Sequence, residues 1–342
     1  MKSRVALALI FAAIIVGLMA LELDRRWNTR LAIPGGGYHL TVSAGESLRS
    51  VTSRLHQKGV VPYPKLIRIY GRWSGLDREI KQGEYLLPQY LGIKSLLSLL
   101  SEGKVIQYQL TFPEGITLHR ALQLLAGEGG LKHVLDGTED ARILALVAPR
   151  LKPEGLFFPD SYAFERGASD WQLLKRAYLR MEAVLAREWA QRAENLPYKS
   201  EYEALIMASI IERETGLAQE RAEIAGVFVR RLQKGMRLQT DPTVIYGLGN
   251  SFDGNLRRVD LKDDSNPYNT YRHHGLPPSP IALPGREAIH AALNPAEGDT
   301  LFFVARGDGG HVFSVTLEAH QKAVRKYQLK RRANYRSSPE KQ

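Results

Sequence analysis

The longest unbroken apolar stretch in the chain is its first. Val5–Leu21 (VALALIFAAIIVGLMAL) follows Lys2 and Arg4 and is closed by Glu22, Asp24, Arg25 and Arg26. It sits at the short end of the roughly 17–25 residues that cross a bilayer as a helix. The rival reading, a cleaved export signal, needs a small-x-small site that is missing, since Leu18 stands two before Ala20. The pattern therefore predicts an uncleaved N-terminal transmembrane helix. Arg25, Arg26 and Arg30 follow it as closely as Lys2 and Arg4 precede it, so charge alone does not orient it. Large following domains translocate largely regardless of charge, which favours a short cytoplasmic tail and an exported body.

Beyond the breaker-rich Ala32–Gly37 (AIPGGG), periodicity predicts a strand at Tyr38–Val42. A helix follows, capped by Ser47, bearing Leu48, Val51 and Leu55 and ending at Gly59. Pro64 opens a helix to Trp73, Gly83–Leu87 reads as a returning strand, and Ser95–Leu100 as a short helix closed by Gly103. Tyr108–Phe112 is strand-like and turns at Pro113–Gly115 into a helix over Leu118–Leu125. Residues 126–168 show no single period. Three helices are then expected at Trp171–Ala190, Tyr202–Thr215 and Arg221–Lys234, the last stopped by Gly235. From Leu238 to Pro284 the chain is rich in Pro, Gly, Asn and Asp, with little periodicity. So long an irregular stretch in a compact domain usually builds a binding surface. A short helix (Arg286–Leu293), a hairpin (Leu301–Ala305 with Val312–Thr316) and a basic helix from Glu318 to about Arg331 complete the pattern.

Composition narrows the chemistry. At 342 residues, 44% hydrophobic and 24% charged, the chain has ample material for a core. The absence of cysteine excludes disulfides, thiolate nucleophiles and cysteine-bound metal sites. The net charge of +11 suits an anionic partner, and an exported body makes nucleic acid a poor candidate. There is no glycine-rich phosphate loop, no GxSxG and no HExxH, and His273-His274 has no third ligand at metal spacing. No metal site and no cofactor are expected.

One helix stands out. From Leu205 to Ile211 it is apolar nearly all round, which predicts burial, yet it ends in Glu212-Arg213-Glu214. Glu212 and Glu214 stand about 200° apart on the wheel and cannot face one cleft together. Glu214 falls in the last turn, beside unpaired carbonyls and the negative end of the helix dipole, which disfavours a carboxylate and suits a general acid. The wheel alone does not exclude Glu212. The polar segment that follows supplies amide, hydroxyl, carboxylate and aromatic groups of the kind that bind sugars: Gln239, Asp241, Thr243, Tyr246, Asn269 and Tyr271.

These residues carry a resemblance. ASIIERETG, RLQTDPTVIYGLG, NPYNTY, GLPPSPIALPG and GGHVFSVTLEAH resemble, in order and spacing, blocks of the endolytic murein transglycosylases of the YceG-like (MltG) family, with EGLFFPDSY as a looser block. The strand and helix after residue 40 also look like the opening of a LysM-type glycan-binding module. The resemblance implies an α+β protein: an N-terminal transmembrane helix, a small LysM-like βααβ unit, then a mixed α+β catalytic domain. The expected boundaries are a cytoplasmic tail at 1–4, the anchor at 5–23, a linker at 24–39, the LysM-like unit at 40–104, the catalytic domain at 105–332 and a tail at 333–342.

By the same resemblance the protein is an inner-membrane, single-pass enzyme with a periplasmic body. It cleaves the MurNAc-β-1,4-GlcNAc bond of peptidoglycan strands without water, leaving 1,6-anhydro-MurNAc ends and terminating strand elongation. The family's essential glutamate falls on Glu214, and Gln239, Asp241, Thr243, Tyr246, Asn269, Tyr271 and Glu212 become substrate-binding candidates. One carboxylate suffices because the sugar's own 6-hydroxyl replaces water, where hydrolytic glycosidases generally need two. The implied partners are glycan strands, the membrane and peptidoglycan synthases, with no nucleic acid. Two alternatives stay open: a hydrolytic muramidase, for which Asp241 is the obvious second carboxylate, and a non-catalytic anchored peptidoglycan-binding scaffold.

Overall fold

The structure, a computed structural model, describes residues 2–150 and 152–328, without the side chains of residues 2–6 and 8. Met1, the expected tail at 333–342 and the expected end of the last helix near Arg331 lie outside the described residues. The described residues within Met1–Tyr108 and Ala163–Ala168 form one unit, and those within Gln109–Tyr162 and Ser169–Gln342 the other.

The first unit opens with α1 (Lys2–Trp27), which runs straight through the apolar stretch into its charged end, where Arg26 Nε donates to Glu22 Oε1 at 2.7 Å. Among the described residues no helix is long and apolar enough to cross a membrane. Leu9, Phe11, Ile14, Leu18 and Leu21 of α1 are all exposed. The expected linker is partly built into the fold. Leu31 and Ile33 are buried, Leu31 N donates to Leu91 O at 2.9 Å, and Ala32 N donates to Val60 O at 3.0 Å.

The unit's body follows in the order β1 (Tyr38–Val42), α2 (Leu48–Gln57), α3 (Pro64–Ser74), β2 (Gly83–Leu87) and α4 (Ile93–Glu102). Ser47 caps α2 by accepting from Ser50 N. β1 and β2 are antiparallel, Tyr38 opposite Leu87 and Val42 opposite Gly83. Alternation turns Leu40, Val42, Tyr85 and Leu87 inward onto Val51, Leu55, Ile67, Leu96 and Leu100. At Gly71 a Cβ would lie 2.4 Å from the buried Leu48 side chain, so a larger residue would have to displace Leu48 where α3 meets α2.

The chain passes between the units within β3 (Gln107–Thr111) and β4 (Ser161–Glu165), which pair with each other. The second unit adds α5 (Leu118–Ala126), α6 (Ala141–Val147), α7 (Asp170–Ala190), α8 (Glu201–Glu214), α9 (Arg221–Gln233), α10 (Asp241–Leu248) and α11 (Arg286–Leu293). The antiparallel hairpin β5 (Phe302–Ala305) and β6 (His311–Ser314) and then α12 (Leu317–Tyr327) follow. A capping box of Ser169 and Gln172 starts α7, and Ser200 caps α8. Every residue from Ala204 to Ile211 is buried, because α8 is packed by α7, α9, α10 and α11. The stretch expected to be irregular contains α10, whose Pro242 occupies the first turn, where a missing N–H costs nothing.

One buried polar group ties α8 to the proline-rich segment. Ser209, fully buried, donates to Ile206 O at 2.7 Å and accepts from Ile281 N at 3.0 Å. Ser209→Ala leaves that N–H unpaired in the core, and urea unfolding of the full chain in detergent is expected to show a loss of about 1–3 kcal/mol.

Candidate active site

Helix α8 ends at Glu214 because Thr215 turns to extended backbone (φ −143°, ψ 139°). The turn is held by a block nearly a hundred residues further along the chain. Glu220 accepts from His311 N at 2.9 Å and meets His311 Nδ1 at 2.8 Å, while Thr215 Oγ1 donates to it at 3.4 Å. The GGH block thus serves the end of the candidate catalytic helix.

Glu214 is partly accessible, yet protein surrounds it closely enough that loss of hydration dominates its ionisation. Burial, reinforced by the nearby negative charge of Asp241, pushes its carboxyl up to about 7 from an ordinary 4.5. A hydrogen bond from Thr240 Oγ1 to Glu214 Oε1, and the more distant charge of Arg231, pull the other way and lose. The dipole argument from sequence points in the same direction, but burial is the principal cause.

Thr240, Thr243 and Thr270 form a buried knot behind that hydrogen bond. Thr240 N donates to Thr270 Oγ1 at 3.1 Å, Thr243 Oγ1 donates to Thr240 O at 2.8 Å, and the Thr243 and Thr270 hydroxyls lie 2.9 Å apart. Gln239 precedes the knot with φ 53°, in the left-handed region that a non-glycine residue adopts only at a cost, and its N donates to Thr270 O at 3.2 Å. Its side chain is exposed, as is that of Asp241, whose Oδ1 accepts from Tyr271 Oη at 2.6 Å. Buried Arg231 donates to the carbonyls of Leu301 (2.7 Å) and Leu238 (2.7 Å).

The structure brings Glu214, Asp241 and Tyr271 into electrostatic contact and sets Gln239 one residue from Thr240, which donates to Glu214. It removes three sequence candidates from the saccharide surface. Thr243 is fully buried in the threonine knot. Asn269 is fully buried, spending Nδ2 on the Asp260 (3.1 Å) and Asp263 (2.6 Å) carbonyls and Oδ1 on Tyr271 N (3.0 Å). Glu212 accepts from Gly285 N at 3.0 Å, at the start of α11, and lies 4.0 Å from Arg221. It serves as an anionic cap there. Burial raises its carboxyl too. Tyr246 is half-buried, with its hydroxyl 3.3 Å from Glu154 Oε2 and its ring edge-on to Tyr268.

Glu154 is the residue the sequence reading missed. It is buried, accepts from Leu118 N (2.9 Å) and Gly155 N (3.2 Å), and is pushed up to about 7 by burial against those bonds. Its only signal was a single carboxylate leading the apolar run Gly155–Phe158. Thr240 and Thr270 were overlooked because small hydroxyls inside RLQTDPT and NPYNTY carry no charge to mark them.

A carboxyl pushed up to about 7, with the Asp241 carboxylate and the Tyr271 phenol acting on it, has the chemistry of a candidate general acid. The comparisons agree. Residues 40–326 match the YceG-like family. An endolytic murein transglycosylase of Bacillus subtilis is 30% identical over 84% of this chain and 84% of its own length. One of Streptococcus pneumoniae is 27% identical over 80% of this chain and 55% of its own. The crystal structure of a yceG-like protein from Listeria monocytogenes is 30% identical, with a TM-score of 0.55, over 84% of this chain and 99% of that one. The chain belongs to the YceG-like family.

The two raised carboxyls set a pH dependence. Glu214 and Glu154 each bind a proton more tightly folded than unfolded. Their stabilisation is therefore complete below about pH 4.5 and is lost as pH rises through about 7. Each contributes on the order of 3 kcal/mol to that total fall in stability. Glu214→Gln and Glu154→Gln should each flatten the fall of thermal midpoint between pH 5 and 8, measured by calorimetry against the parent chain.

Proposed function

We propose that this chain is an endolytic murein transglycosylase that cleaves the MurNAc-β-1,4-GlcNAc bond within peptidoglycan strands, with Glu214 as its catalytic acid and base. The neutral carboxyl protonates the leaving glycosidic oxygen as the bond to C1 breaks. The resulting carboxylate then accepts the proton of the MurNAc 6-hydroxyl as that oxygen bonds to C1, closing the 1,6-anhydro ring. Atoms balance without water, and the acid is regenerated. The observation that carries the reading is the carboxyl raised to about 7 at the end of a buried helix. Such a group is protonated enough to give a proton at neutral pH and basic enough to take one back. Asp241 and Tyr271 are assigned to the saccharide because their charges or hydroxyls act on Glu214 and neither is fully buried, and Gln239 because it is exposed one residue before Thr240, which donates to Glu214. Tyr246 contributes its ring, since its hydroxyl is turned towards Glu154.

A hydrolytic muramidase is the second reading, favoured by the exposed Asp241 carboxylate beside Glu214. The test is digestion of uncrosslinked glycan followed by mass spectrometry. Anhydro ends are expected, and Glu214→Gln should lower the rate by about 10²–10⁴ with the fold intact. Reducing MurNAc ends would instead establish the muramidase. Retained activity in Glu214→Gln would remove Glu214 from the mechanism.

The proposed location is the inner membrane, with α1 as a single-pass anchor and the body in the periplasm. Support comes from the exposed apolar face of α1 and from the collar below it, where Arg25 and Arg26 precede Trp27, Trp27 packs on Tyr70 at 4.4 Å, and Trp73 is 82% exposed. Aromatic and basic residues of this kind collect at membrane interfaces. The order β1-α2-α3-β2 supports the assignment of the first unit as a LysM-like contact for glycan, and synthase partners follow from the family resemblance alone. Full-length protein is expected to float with lipid vesicles, and deletion of residues 1–27 to release it. Flotation of the deleted form would overturn the anchor.

A further inference from the structure

Thr240 is a hydroxyl with one proton, and the structure gives that proton a single destination, Glu214 Oε1. Its backbone is fastened on both sides. Thr240 N is bound to Thr270 Oγ1, Thr240 O accepts from Thr243 Oγ1, and the residue before it is held at φ 53°. Thr240, Thr243 and Thr270 are each no more than 2% exposed, so water does not compete for these bonds. Strained backbone retained next to a reacting group is a sign that its geometry matters to the reaction.

We propose that Thr240 is a positioning residue for the reaction: its hydroxyl, aimed by the Thr243–Thr270 pair and by the left-handed backbone at Gln239, occupies Glu214 Oε1 and so reserves Oε2 for the transferred proton. This rests on the reading of Glu214 as the catalytic acid. An oxygen accepting a hydrogen bond is the less basic of the two, so the neutral acid carries its proton on Oε2. After Oε2 has protonated the glycosidic oxygen, the same hydroxyl stabilises the new carboxylate. When the 6-hydroxyl attacks, its proton returns to Oε2. Without the Thr240 hydroxyl, the proton distributes over both oxygens and the carboxyl is free to rotate.

The other charged or titratable groups that act on Glu214 are Asp241 from α10, Arg231 from α9 and Tyr271 from the segment that follows Asn269. Substitution at Thr240 leaves all three in place. The test uses the full chain in detergent with glycan strands as substrate. Thr240→Val should lower kcat by about tenfold or more with KM within about twofold. It should also move the alkaline fall of kcat/KM to higher pH, because the bond it removes favours the charged form. Thr240→Ser should restore both the rate and the position of that fall.

A fall that stays in place in Thr240→Val, or a serine variant no better than the valine one, would overturn the proposal. If the valine variant does not fold by circular dichroism, Thr240→Ala carries the same expectations. Glu214→Gln is measured alongside. If it stays active, the reading of Glu214 fails; if it is dead while Thr240→Val and its pH profile are unchanged, only the role of Thr240 fails.

Discussion

Helix α8 has no polar face between its first and last turns, and that constraint organises the second unit. With Ala204–Ile211 all buried, the helix has to be enclosed on every side, and α7, α9, α10 and α11 do this. Enclosure has a chemical consequence at the C-terminal end. The last residue of such a helix cannot reach bulk water freely, so its carboxyl is born poorly hydrated and holds its proton to about 7. The packing that stabilises the fold and the acidity needed for the chemistry therefore have one origin.

The polar groups around that carboxyl divide into those already spent and those left over. Arg231 is the cation best placed to neutralise Glu214, and an ion pair would hold the carboxylate charged. Its guanidinium is committed to backbone carbonyls instead. Asn269 and Thr243 likewise use their hydrogen-bonding capacity on the scaffold. Gln239, Asp241 and Tyr271 are not fully buried, and the last two spend one bond on each other. Glu154 repeats the pattern at a second point: a buried carboxyl whose partners among the described residues are neutral donors, joining the start of α5 to Tyr246 on α10.

Residue patterns made much of this legible, and the misses have physical causes. The helix apolar on all faces, its terminal glutamates and the hairpin around Asp308–Gly310 are local signals, and each stands where the pattern put it. Helix α10 was hidden because Asp, Pro and Gly at its two ends read as turn residues. Asp and Pro are equally the residues that start a helix. Sugar-binding candidates chosen by side-chain type fared unevenly, since type does not say which way a group points. Asn269 and Gln239 look alike in a sequence, and only burial separates them. Glu212 and Glu214 are the clearest case. Two positions apart, one caps α11 and the other meets Thr240, a distinction made by partners more than seventy and twenty residues away.

The first unit is not a contiguous piece of chain. It takes Ala163–Ala168 from beyond residues that belong to the second unit, and β3 has its pairing strand in β4, which begins at Ser161. A ribosome or an export channel delivers the chain from its N-terminus, so the first unit cannot be completed when residue 108 emerges. It has to wait until Ala168 is available, with Gln109–Tyr162 already extruded and still lacking α7 to α11 to pack against. No single cut separates the two units either. A fragment ended at residue 108 cuts β3 after its second residue and lacks Ala163–Ala168.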